Sequence, residues 1–72
     1  MYKLQNLSSK ELIIIIKKQG YVFLRQKGSH LVFKNHLENK ILVVPNHKIL
    51  KIGTTLQILK TIGLNKEDLE KL

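Results

Sequence analysis

The stretch Tyr21-Val22-Phe23-Leu24-Arg25-Gln26-Lys27-Gly28-Ser29-His30-Leu31-Val32-Phe33-Lys34 decides the fold. Both of its runs are rich in aromatic and β-branched residues, which suit a pleated, half-buried surface, and Gly28-Ser29 supplies turn chemistry between them. The reading is a hairpin of two antiparallel strands, Tyr21 to Lys27 and His30 to Lys34. Alternation groups His30 with Val32 and Lys34. Because Leu31, Val32 and Phe33 are all apolar, however, the pattern does not fix which face His30 takes.

Toward the C-terminus, Asn35 to Asn39 reads as a turn and Lys40 to Val44 as a third strand, stopped by Pro45. Pro45 to Gly53 is a basic connecting loop. Thr54 or Thr55 is expected to cap a helix that turns Leu56, Leu59 and Ile62 inward and ends at Gly63. Asn65, followed by Glu67 and Asp68, opens a short last helix closed by Lys71, with Leu69 and Leu72 available to the core. Toward the N-terminus, Ser8 and Glu11 have capping-box spacing, and Leu7 stands where a hydrophobic staple would meet Leu12. The run Ile13 to Ile16 favours a strand by propensity, but the caps, with Lys17, Lys18 and Gly20 at the far end, decide for a helix.

The expected fold class is therefore α+β in αβββα order: a three-stranded antiparallel sheet with helices on one face, the other face open, and a short C-terminal helix. Double-stranded-RNA-binding domains share this arrangement, although fold alone does not establish function. At 72 residues, 43% of them hydrophobic and none of them Cys, the chain fits one domain spanning 1–72, without disulfides or thiolate metal sites. The longest apolar run, Leu12 to Ile16, is far too short for a membrane span, and Met1 to Asn6 contain no apolar signal region. These features imply a soluble, cytoplasmic protein with no membrane partner.

Thirteen Lys+Arg against five Asp+Glu give a net charge of +8. The charge is uneven: before residue 65 the only acidic residues are Glu11 and Glu38, whereas Glu67, Asp68 and Glu70 crowd the tail. A basic body of this kind favours polyanions, nucleic acid above all, through counterion release; an inert basic surface or an acidic protein partner is the alternative.

Several short pieces then combine. Ser9-Lys10-Glu11-Leu12, Gly20-Tyr21, Arg25-Gln26-Lys27-Gly28-Ser29-His30 with Phe33, and Val44-Pro45-Asn46-His47-Lys48 occur in order. Gly53-Thr54, Ile58-Leu59-Lys60 and Gly63-Leu64 follow them. Together they resemble the HicA (YcfA-like) family of toxin-antitoxin systems. The family implies a double-stranded-RNA-binding-like fold, cleavage of messenger RNA, and neutralisation by a HicB antitoxin that covers the His30 region. By position, Gly28-Ser29-His30 makes His30 the catalytic residue that the resemblance implies. The chain departs from the family pattern at Asn46, which fills a small or apolar position, and at Ile49-Leu50, which make the loop more apolar.

The chemistry suits those residue types. RNA is cleaved when its 2′-hydroxyl attacks the adjacent phosphate, so a proton must move and negative charge must be stabilised on phosphorus. No cofactor is required. An imidazole, with a reference pKa of about 6.5, can act as base or acid near neutrality. Lys27, Lys48 and Lys51 are candidates for stabilising the developing charge. Arg25, Lys27 and Lys34 can track phosphates around the hairpin, or simply form a solvated edge that discourages sheet pairing. His47 is a second acid/base, an RNA contact or a loop-positioning residue, and His36 is most simply solvated. Gly53-Thr54-Thr55 after Lys51 can hold a phosphate, although a plain helix cap explains it better. Tyr21 and Phe23 are expected in the core rather than stacked on bases. No spacing of His30, His36 and His47 matches a metal-ligand motif.

Three functions compete on these grounds. The leading one is a metal-independent endoribonuclease toxin contacting RNA through Arg25, Lys27, Gly28, Ser29, Lys34, His47, Lys48 and Lys51. The second is a non-catalytic double-stranded-RNA-binding module. Against it, Gly53-Thr54-Thr55-Leu56-Gln57 lacks the clustered Lys with which such modules grip a groove. The third is a protein-interaction domain, suggested by the wide apolar face of Leu12 to Ile16.

Overall fold

Helix α1 (Ser9–Lys18) begins at the expected cap: Ser8 Oγ accepts from the Glu11 N–H at 3.1 Å, and Glu11 Oε1 accepts from the Ser8 N–H at 3.0 Å. Two backbone donors at the helix start are thereby satisfied. The computed structural model describes residues 3–71, so the inward packing expected of Leu72 lies outside the described residues. A 3-10 turn, Leu4–Asn6, precedes the cap. Leu7 and Leu12, on either side of it, are both fully buried. The isoleucine run divides by face, with Ile15 and Ile16 in the core and Ile14 exposed. At the far end Gly20 adopts φ +94°, a left-handed value that a residue without Cβ takes at little cost.

Strands β1 (Tyr21–Lys27), β2 (His30–Asn35) and β3 (Lys40–Pro45) form one antiparallel sheet in that order. Lys27 pairs with His30 across Gly28-Ser29, and Gly28 has φ +59°. This is a two-residue hairpin with glycine at the first central position, the requirement of a type II′ turn. The second turn is built on Asn35, whose buried Oδ1 accepts from the N–H groups of Leu37 and Glu38, both at 3.1 Å. Its Nδ2 donates to the Gln19 carbonyl at 3.3 Å, tying the end of α1 to the sheet.

A bulge at Leu24 sets the faces. Phe23 pairs with Phe33, but Arg25 pairs with Val32, so Leu24 has no partner of its own. Simple alternation would have kept Phe23, Arg25 and Lys27 on one face. The extra residue instead leaves Phe23 on the helix side with Phe33 and turns Arg25 and Lys27 to the other side. Tyr21 is buried as expected. Phe23 is not: it is half exposed at the sheet edge, its ring edge-on to Phe33 with centroids 5.6 Å apart, because among the described residues no strand pairs outside β1 to cover it.

Helices α2 (Ile52–Thr61) and α3 (Lys66–Lys71) complete the αβββα order with its short C-terminal helix. The core lies between the helices and one sheet face. Leu12, Ile15, Ile16, Ile58, Leu59 and Leu69 meet Phe33, Leu42 and Val44 there. Neither Thr54 nor Thr55 caps α2. Lys51 occupies the cap position, with extended backbone and no side-chain cap bond. The helix starts early because the Leu50 N–H donates to the Leu7 carbonyl at 2.8 Å and the Leu50 side chain is buried, pinning the chain just ahead of it. With that start, Thr55, Ile58 and Leu59 face inward and Leu56 is exposed, a correction to the expected stripe. Gly63, at φ +81°, does end the helix. Asn65 caps α3 by accepting from the Asp68 N–H at 2.9 Å. Among the described residues, no helix is long and apolar enough to cross a membrane.

Candidate functional site

The sheet face away from the helices gathers most of the candidate residues. His30 begins β2, exposed, with its side chain on that face, because the alternate residues Leu31, Phe33 and Asn35 turn toward the helices. Lys27 stands beside it on β1 and Pro45 on β3. One row further on come Arg25, Val32 and Val43, and beyond them Val22, Lys34 and Ile41. Directly opposed residues in such a ladder have Cβ atoms about 4.5–5.5 Å apart, so His30 and Lys27 are immediate neighbours. Val22, Ile41 and Val43 are each about half exposed, so this face alternates cations with apolar side chains.

The loop after β3 is drawn to the same end of the sheet. The Asn46 N–H donates to the Ser29 carbonyl at 2.7 Å, joining this loop to the turn that precedes His30. The His47 carbonyl accepts from the Ser9 N–H at 3.1 Å and from Ser9 Oγ at 2.9 Å, and Ser9 Oγ also reaches Asn46 Oδ1 at 3.3 Å. A cleft of about 260 Å³ opens between this loop and the start of α1, lined by Ser8, Ser9, Lys10, Asn46, His47 and Lys48.

The fold therefore brings His30, Arg25, Lys27 and Lys34 onto one face, with Gly28 and Ser29 as the turn beside them and His47 and Lys48 in the adjoining loop. Lys51 stands apart at the start of α2, beyond the buried Leu50. His36 lies in the opposite turn, about 20 Å from His30 at roughly 3.3 Å of strand per residue. Among the described residues, no three His, Asp or Glu side chains gather in a metal-ligating set. The ion pair present among them is Lys40 with Glu38, at 3.2 Å, so neither carboxylate nor cation of that pair belongs to the His30 end. The sequence does not mark Lys10 and Asn46 as site residues. Their 36-residue separation carries no periodic signal, and only the folded chain brings them to one cleft.

No curated protein matches the chain. The family model described as the HicA toxin of bacterial toxin-antitoxin matches residues 9–64, from the start of α1 to the residue after Gly63. That match takes in every element from α1 through α2, and with them the hairpin that carries His30 and the loop that adjoins it. The chain belongs to the HicA toxin family of bacterial toxin-antitoxin systems.

Proposed function

We propose that this protein is an endoribonuclease, a messenger-RNA interferase whose 72 residues act as one toxin domain in the cytoplasm. The observation that carries the reading is the exposed His30 on a cationic sheet face, within the hairpin of a HicA family chain. His30 takes the proton of a 2′-hydroxyl as that oxygen attacks the neighbouring phosphorus, and the P–O5′ bond breaks to leave a 2′,3′-cyclic phosphate and a 5′-oxygen that takes a proton from water. Lys27, its immediate neighbour, stabilises the charge that develops on the phosphoryl oxygens. Arg25, Lys34 and Lys48 contact flanking phosphates and Lys51, set apart at the start of α2, a more distant one, while Gly28 and Ser29 keep the turn low enough for the RNA backbone to approach. His47 contributes through its loop. A HicB-type antitoxin neutralises the toxin by covering the His30 region, and its approach is accelerated by opposite charge.

The test is degradation of messenger RNA by the purified protein in the presence of a chelator, repeated with His30→Ala. A shortfall of about 100-fold or more in the variant, with an unchanged circular dichroism spectrum, is the expected result for loss of a general acid-base group. Full cleavage by folded His30→Ala would remove His30 from the mechanism. Salt-sensitive binding to duplex RNA without any cleavage would make the protein a binding module instead.

A further inference from the structure

We infer that the cleft between the start of α1 and the loop after β3 binds a second phosphate of the RNA, adjacent to the one at His30, with Lys10 and Lys48 as its ligands. The inference rests on the ribonuclease reading and extends it to a subsite on a different element. The six lining residues, Ser8, Ser9, Lys10, Asn46, His47 and Lys48, include two ammonium groups and an imidazole and no carboxylate. The nearest acid along the chain, Glu11, is engaged: its Oε1 accepts from both the N–H and the Oγ of Ser8. The backbone donors here are largely spent as well. The Ser8 N–H serves Glu11, the Glu11 N–H serves Ser8 Oγ, and the Ser9 N–H serves the His47 carbonyl. Binding an anion therefore falls to the Lys10 and Lys48 side chains.

Spacing makes this a neighbouring site rather than an isolated patch. His30 pairs with Pro45, at about 5 Å between Cα atoms in an antiparallel ladder. His47 is two residues further on, at most about 7 Å along the chain. A strand of RNA crossing His30 can thus lay its next phosphates over the cleft. Ser9 holds the mouth of the cleft in place, since its N–H and hydroxyl both donate to the His47 carbonyl and it is buried.

The experiment uses His30→Ala protein and a short single-stranded RNA, with affinity measured across a range of salt. Adding Lys10→Ala should weaken binding several-fold and reduce the slope of log affinity against log salt by about 0.7, the value for one phosphate contact on a single strand. Lys10→Arg should restore both. Lys17→Ala, about 10 Å further along the same helix, should leave the slope unchanged. An unchanged slope for Lys10→Ala, or an equal loss for Lys17→Ala, overturns the subsite. A second measurement does not depend on RNA cleavage. Titration of the unmodified protein with inorganic pyrophosphate should shift the amide resonances of Ser9, Lys10, His47 and Lys48 at concentrations that leave Lys17 and Lys60 unmoved. Shifts spread evenly over all the lysines would overturn the proposal. Failure of the protein to cleave RNA, with those localised shifts present, would refute the nuclease and leave the anion site standing.

Discussion

The Asn46 N–H donates to the Ser29 carbonyl across 2.7 Å, so the loop after β3 and the turn before His30 are held as one unit. Asn46→Pro removes this donor together with the side-chain amide that Ser9 Oγ reaches, so Asn46→Ala, which loses the amide alone, is its control. Pro45 before it already has the extended backbone that a following proline demands. The loss of one backbone bond should cost about 1 kcal/mol. For a domain of this size that is roughly 4–8 °C in Tm. RNA cleavage measured well below the melting range should fall at least 10-fold, while Asn46→Ala, which keeps the N–H, should retain more. Undiminished cleavage by Asn46→Pro would show that the loop plays no part in the reaction.

Much of this architecture was legible because its boundaries are chemical. Ser8 with Glu11, Gly28-Ser29, Pro45, Gly63 and Asn65 each act locally, and local geometry follows from residue type. Two features could not be read that way. The face of His30 depends on which side of the apolar run Leu31-Val32-Phe33 meets the helices, and that is a tertiary outcome. The start of α2 depends on Leu50 reaching Leu7, a contact across 43 positions, and it overrode the capping preference of Thr54 and Thr55. The cleft beside His47 has the same origin, since Lys10 enters it only when α1 packs against the loop.

The bulge at Leu24 yields a prediction that runs against the usual cost of deleting a strand residue. Removing Leu24 would leave Phe23 opposite Phe33 and Arg25 opposite Val32 in an unbroken ladder, with both faces preserved. Deleting Val43 from the regular strand β3 would instead reverse the faces of the residues on one side of it. The Leu24 deletion should therefore fold, with a Tm well above that of the Val43 deletion. If both deletions unfold alike, the bulge is needed for the hairpin itself.

Thr55 is fully buried, and its Oγ1 has no hydrogen-bond partner among the described residues. A buried hydroxyl left unpaired costs about 1–3 kcal/mol, whereas a methyl of the same shape carries no such penalty. Thr55→Val should raise the Tm by a few degrees, roughly 4–8 °C for each kcal/mol recovered. The gain should come without change in cleavage, because Thr55 faces the core rather than the cationic surface. A fall in Tm would mean that the hydroxyl is paired in solution.

Gly20 and Gly28 both have positive φ, at +94° and +59°, yet they should differ in how they tolerate alanine. Positive-φ backbone costs an L-residue roughly 1–2 kcal/mol, and Gly28→Ala should lose only a backbone cost of that kind, since a Cβ there meets nothing within 4 Å among the described residues. At Gly20 the added Cβ would lie 3.3 Å from Asn35 Nδ2. Asn35 cannot yield freely, because it donates to the Gln19 carbonyl and accepts from the Leu37 and Glu38 N–H groups. Gly20→Ala should therefore lower the Tm by at least twice as much as Gly28→Ala. Equal losses at the two glycines would mean that the Asn35 amide moves aside at no cost, and that the link it makes between α1 and the second turn contributes little to the fold.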